Sequence, residues 1–139
     1  MIDRWVERNR DGLILLARVV MMVLFLASGW GKLQDFQGVV GYLASLHVPV
    51  PQLGAAVAVV MELGVGLVLV LGVAVRPLAL LYVLFVLASS VLGHAFWGME
   101  GADRAANLLQ FLKNMSIAAG LLLLCVTGSG RYALLRSRH

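Results

Sequence analysis

Charge is scarce in this chain. Only 13% of its 139 residues are Asp, Glu, Lys or Arg, about half the share found in soluble domains. Seven acidic residues face eleven basic ones, a net charge of +4. The basic residues sit in loops and tails, where positive charge sets membrane orientation, so nucleic acid is excluded as a partner. Cysteine occurs once, as Cys125. No internal disulfide can form, and no CxxC is present. That excludes the thiol–disulfide exchange of the quinone-coupled disulfide-forming enzymes, which are also small helical bundles. A nucleophile–base motif, a phosphate-cradling glycine loop and a dinucleotide fingerprint are all missing. So is the internal repeat common in transporters.

What the chain has instead is hydrocarbon. It is 61% hydrophobic, with a mean hydropathy of +0.94. The fold class that follows is an all-α membrane protein in one domain, residues 1–139. It is a four-transmembrane-helix bundle with a short interfacial helix between spans 1 and 2. The spans are expected at about 13–31, 52–75, 78–96 and 106–127, and the interfacial helix at about 35–46. Residues 1–12 carry Arg4, Arg8 and Arg10 around Trp5, which suits a short surface helix with an aromatic anchor. They do not read as a signal peptide, because Arg18 interrupts the apolar run that follows.

In the first span Arg18, Met22, Phe25, Gly29 and Lys32 recur at steps of three and four, so they share a face. Arg18 and Lys32 stand toward opposite interfaces. Both can snorkel, as long basic side chains do, or the whole stripe can face the bundle. After the interfacial helix, His-Val-Pro-Val-Pro leads into the second span, where Pro51 suits a first helical turn. The second span holds a single ionisable side chain, Glu62. Ala55, Ala58, Glu62 and Gly66 line one face. Small residues admit a neighbouring backbone, so this carboxylate is expected against protein and not lipid. Arg76-Pro77 reads as a turn into the third span, with His94 near its far end and Trp97 at the interface. The fourth span opens with Asn107, Gln110, Lys113 and Asn114. Cys125, on its apolar second half, reads as packing.

Four spans put both termini and Arg76 on one side, with Arg4, Arg8, Arg10, Arg131, Arg136 and Arg138. The positive side is cytoplasmic, so the N- and C-termini are expected inside. Helical rise then places Glu62, Lys113, Lys32 and His94 at similar depths beneath the outer surface. Asn107, Gln110 and Asn114 complete a polar layer to which four helices contribute. One reading of the layer is structural: an ion pair of Glu62 with Lys113 or Lys32 that locks the bundle. The other is functional, since intramembrane ionisable groups are candidate sites by default. Cationic and amide donors can hold the carbonyls of a quinone, and His or Glu can take its proton. Haem is disfavoured, because only His94 lies in a span and His47 would have to approach from a loop. Metal binding has no ligand spacing behind it. Arg18 and Arg76 are assigned to structure or snorkelling.

Several motifs recur in a telling order. LLARVVMMVLFLASGWGKL is followed by PVP before MELGVGLVLVLG, then RP, GHAFW, LKNMSIAAGLLLL and GSGRY. From about Leu13 to Tyr132 the chain resembles the DoxX family. The resemblance implies a four-span bacterial inner-membrane protein. Some members are described as small subunits of quinol- or thiosulfate:quinone-linked oxidoreductases, and others are tied to oxidative-stress complexes. No catalytic residue transfers with it, and an enzymatic role would need partner subunits. Three functions are therefore carried forward. The first is a quinone- or quinol-interacting subunit with no covalent cofactor. The second is a non-catalytic scaffold, with redox-enzyme partners or further copies of itself. The third is a small proton-coupled transporter. A pocket beside Glu62 favours the first, and a closed ion pair favours the second.

Overall fold

The structure is a computed structural model that describes residues 1–135; Arg136 and Arg138 lie outside the described residues. Among these the regular secondary structure is helical, and four helices are long and apolar enough to cross a membrane. They are α1 (Ile2–Gln34), α3 (Pro51–Leu71), α4 (Val75–Gly93) and α5 (Gly101–Thr127). The short α2 (Phe36–Ser45) lies between the first two.

Local chemistry sets the boundaries. α1 runs without a break through residues 1–12, because no proline interrupts them and one glycine in a helix costs only about 1 kcal/mol. It ends at Asp35, whose carboxylate turns to cap α2 by accepting the Gly38 N–H at 3.1 Å. α3 stops at Leu71, short of residue 75, because Gly72 takes a left-handed φ of 83°. The Gly72 N–H then reaches the Leu69 carbonyl and the Val73 N–H the Val68 carbonyl, which is a Schellman ending. A Cβ on Gly72 would also lie 2.8 Å from Ala133, so glycine serves both the turn and the packing. α4 begins at Val75, so Arg76 and Pro77 form its first turn, where a missing N–H is harmless. It ends at Gly93, leaving His94 beyond the helix. α5 starts at Gly101 with Asp103 in its first turn, where an acid suits the helix dipole.

Packing divides the bundle into two pairs. α4 and α5 run against each other along their lengths, and α1 packs on α3. The pairs close over a core of Met22 and Phe25 from α1, Leu69 from α3, Tyr82 and Val86 from α4 and Leu121 from α5. Phe25 meets Tyr82 edge-on at 4.8 Å between ring centres. The outward faces stay apolar, with Leu16, Val23, Leu67, Leu84 and Leu123 exposed. That is the surface a bilayer requires.

The two ends differ. At one end the first turns of α1 meet the tail after α5. Asp11 accepts the Arg131 N–H at 3.0 Å, and Leu134 donates to the Leu71 carbonyl at 3.0 Å. Arg18 lies just inside this end. It is 1% exposed and donates to the carbonyls of Ser129 and Tyr132, each at 2.7 Å. Its guanidinium is thus tied into the protein. Arg76 is exposed beside Gly128. At the other end α2 packs on the first turns of α3, and the Tyr42 hydroxyl reaches the Gly93 carbonyl at 3.4 Å.

Candidate functional site

The polar centre of the bundle is built on two helices. Gly29 on α1 and Glu62 on α3 face each other so closely that a Cβ at Gly29 would lie 2.8 Å from the Glu62 Cβ. That approach brings Lys32, almost one turn further along α1, onto the carboxylate. Its Nζ donates to Glu62 Oε1 at 2.9 Å and Oε2 at 2.8 Å. A third bond runs to the Ser28 hydroxyl at 2.6 Å. An ammonium has three donors, and all three are engaged. Glu62 is 6% exposed. The Lys32 side chain keeps 29% exposure, so the pair is closed on the carboxylate side and thinly covered on the lysine side.

The backbone beneath Glu62 is unusual. From Val60 to Val65 the helix widens to π geometry. Such π-turns occur mostly singly inside α-helices and often at functional sites. The Tyr82 hydroxyl, fully buried on α4, donates to the Met61 carbonyl, and the Glu62 carbonyl lies 3.5 Å away as a weaker second acceptor. Gly66 keeps room for this phenol, since a Cβ there would come within 3.0 Å of its oxygen. Tyr82 therefore joins α4 to the segment that presents the carboxylate. Sequence reasoning missed Ser28 and Tyr82. Ser28 was findable, one helical step of four before Lys32. Tyr82 carried no signal, because its acceptor is a backbone carbonyl.

The expected seven-residue layer is not one cluster. Only Lys32 reaches Glu62. His94 Nδ1 pairs with the Asn107 side-chain oxygen at 3.0 Å, and the Asn107 amide donates to the Asp103 carbonyl. Gln110 and Lys113 are exposed, and Asn114 is half-buried. None of the three has a side-chain hydrogen bond among the described residues. The reason is the pairing of helices: α5 gives its closest contact to α4, not to α3. His47 is exposed in the turn after α2, and Cys125 packs against the core. Among the described residues no three His, Cys, Asp or Glu side chains gather as metal ligands.

Helical register nevertheless relates Lys113 to the ion pair. A Cβ at Gly120 on α5 would lie 2.8 Å from the Met21 side chain on α1, so these residues mark where α1 and α5 touch. Seven residues toward the far end of each helix stand Ser28 and Lys113. Seven residues return to nearly the same face, about 10 Å along the axis. Ser28 and Lys113 thus flank the α1–α5 seam at one level. Lys113 is exposed at this level.

These features define a four-span helical membrane protein whose first two spans are joined by a part-buried lysine–glutamate pair. The chain belongs to the DoxX family, whose model matches residues 13–95. It is 42% identical to the inner membrane protein YphA of Escherichia coli K12, covering 90% of this chain and 89% of that one. It is 36% identical to the inner membrane protein YqjF of the same organism, over 92% of this chain and 93% of its relative. No solved structure matches it.

Proposed function

We propose that this chain is a quinone- or quinol-interacting subunit of a bacterial inner-membrane oxidoreductase or oxidative-stress complex, with both termini cytoplasmic. The ligand enters sideways from the bilayer at the α1–α5 seam. One observation carries the reading: Lys113 is exposed within a membrane helix, and the register counted from the Met21–Gly120 approach sets it near the level of Ser28, a partner of Lys32. An ammonium in that position needs an acceptor. A quinone carbonyl is an acceptor that reaches it through lipid, while the isoprenoid tail lies on the apolar outer faces. Lys32, Glu62 and Ser28 stand behind it as a hydrogen-bonded set that can hold a proton. The electrons come from a partner subunit. The test is titration of the purified protein in mild detergent with a short-chain ubiquinone. Wild type should bind, and Lys113→Leu should weaken binding about ten-fold or more, as for loss of a hydrogen bond from a charged group. No bound quinone in the lipid extract and no titratable binding in wild type would remove this reading.

A second reading is the one favoured by a closed ion pair, and the Lys32–Glu62 pair is closed on the carboxylate side with Lys32 saturated. With all three N–H groups engaged internally, the pair can act as a rivet in a non-catalytic scaffold. Gln110 and Lys113 would then meet a partner protein or a second copy. A photo-cross-linker at position 113 separates the two readings. Protein adducts favour the scaffold, and quinone adducts favour the subunit.

A further inference from the structure

At the end of the bundle carrying the N-terminus, a cleft of about 350 Å³ opens between α1 and the tail after α5. Trp5, Arg8, Asn9, Gly12, Leu13 and Leu16 form its α1 wall. They follow one another at alternating steps of three and one, so they make a single helical face. Arg131 and Tyr132 form the opposite wall. That wall is held by the chain itself. Asp11 accepts the Arg131 N–H, Arg18 holds the Ser129 and Tyr132 carbonyls, and the Arg131 guanidinium stacks 5.3 Å above the Tyr132 ring. Gly12, between Asn9 and Leu13 on the α1 wall, has nothing within 4 Å of where a Cβ would be.

The lining changes character along the membrane normal. Eleven residues separate Trp5 from Leu16, about 16 Å by helical rise. The outer part offers two guanidinium groups and an indole. The inner part is Leu13 and Leu16, where the apolar run of α1 begins. Asp11 is the one acid in the lining, so the two arginines leave a positive balance. Neither Arg8 nor Arg131 forms a salt bridge among the described residues.

We propose that this cleft binds a phosphate oxyanion, and that its source is the headgroup of an anionic phospholipid. Planar guanidinium groups match phosphate oxygens in pairs, and Trp and Tyr belong at the headgroup level. A free phosphate would use the arginines alone. A lipid also uses the leucines below them, because its glycerol and first acyl carbons lie one step deeper than its phosphate. Basic pockets at membrane interfaces are established binders of such headgroups.

The experiment uses the full chain in mild detergent after delipidation. Thermal unfolding and native mass spectrometry are followed with added phosphatidylglycerol, phosphatidylethanolamine or inorganic phosphate. Wild type should retain and be stabilised by phosphatidylglycerol over phosphatidylethanolamine. The Arg8→Gln/Arg131→Gln double variant should lose affinity by about five-fold per arginine. Gly12→Leu keeps every charge and puts a side chain into the open space of the cleft wall, so it should lose the lipid as well. Arg4→Gln, an exposed arginine outside the lining, should bind as wild type. Equal retention of the two lipids, or wild-type binding by both the double variant and Gly12→Leu, would overturn the site. Stabilisation by inorganic phosphate that matches the lipid's would overturn the lipid source.

Discussion

Removing one member of the Lys32–Glu62 pair should cost far more from one side than from the other. In Lys32→Met the Glu62 carboxylate stays where Gly29 and the π-turn put it, 6% exposed, with no cation beside it. Breaking a buried pair in this way costs about 3–5 kcal/mol, mostly from the stranded charge. In Glu62→Gln the stranded group is Lys32. It keeps 29% side-chain exposure, sits two residues from the end of α1 and retains Ser28. It can lift its ammonium toward the headgroups, so the loss should be only about 1 kcal/mol, the scale of a polar contact between membrane helices. The double variant Lys32→Met/Glu62→Gln carries no charge to strand. It should recover most of the Lys32→Met loss, to within about 1–3 kcal/mol of wild type, because no charge is stranded and only the new amide remains to be satisfied. The assay is reversible unfolding in mixed micelles across the four proteins of the cycle. Equal losses in the two single variants, or a double variant whose loss is the sum of the two, would refute this reasoning. Either result would mean that the carboxylate is not held away from solvent.

Two further predictions follow from close contacts. Gly29→Ala should lower the unfolding temperature sharply, since its Cβ would meet the Glu62 Cβ at 2.8 Å and the Leu63 backbone nitrogen at 3.1 Å, and backbone cannot yield; Gly31→Ala, with open space around it in the same helix, should hold or slightly raise the melt. Arg18→Met should free the tail from residue 129 onward, which limited proteolysis would register as new cleavage there while cuts elsewhere stay as in wild type.

Periodicity made part of this molecule legible. The steps of three and four from Arg18 to Lys32 mark a face of α1, and Arg18, Met22, Phe25 and Gly29 are the residues buried on it. The alanines and glycine around Glu62 marked the face of α3 that meets protein, and Ala55, Glu62 and Gly66 are buried. Periodicity says which way a side chain points along its own helix. It does not say which helix stands opposite. That is why Lys32 and Lys113 were equal candidates for Glu62 until the pairing of α1 with α3 decided between them. The π-turn was illegible for a related reason. Its residues Val60–Val65 hold no proline, their one glycine does not by itself mark a π-turn, and Tyr82, which bonds the Met61 carbonyl, comes from another span. Helix ends were misplaced where a proline or an arginine looked like a turn but suits a first helical turn equally well, as at Arg76-Pro77.

The arginine in the first helix has a consequence for how the protein is made. Its carbonyl partners belong to residues 111 and 114 positions later, which leave the ribosome after all four membrane helices. While the earlier segments are entering the translocon, that guanidinium has no ligand from its own chain. An arginine in that state opposes insertion by up to about 3 kcal/mol. Synthesis of residues 129–132 therefore settles the first segment into the bilayer, and a chain truncated before residue 129 should be cleared by quality-control proteases although all four of its hydrophobic segments are intact.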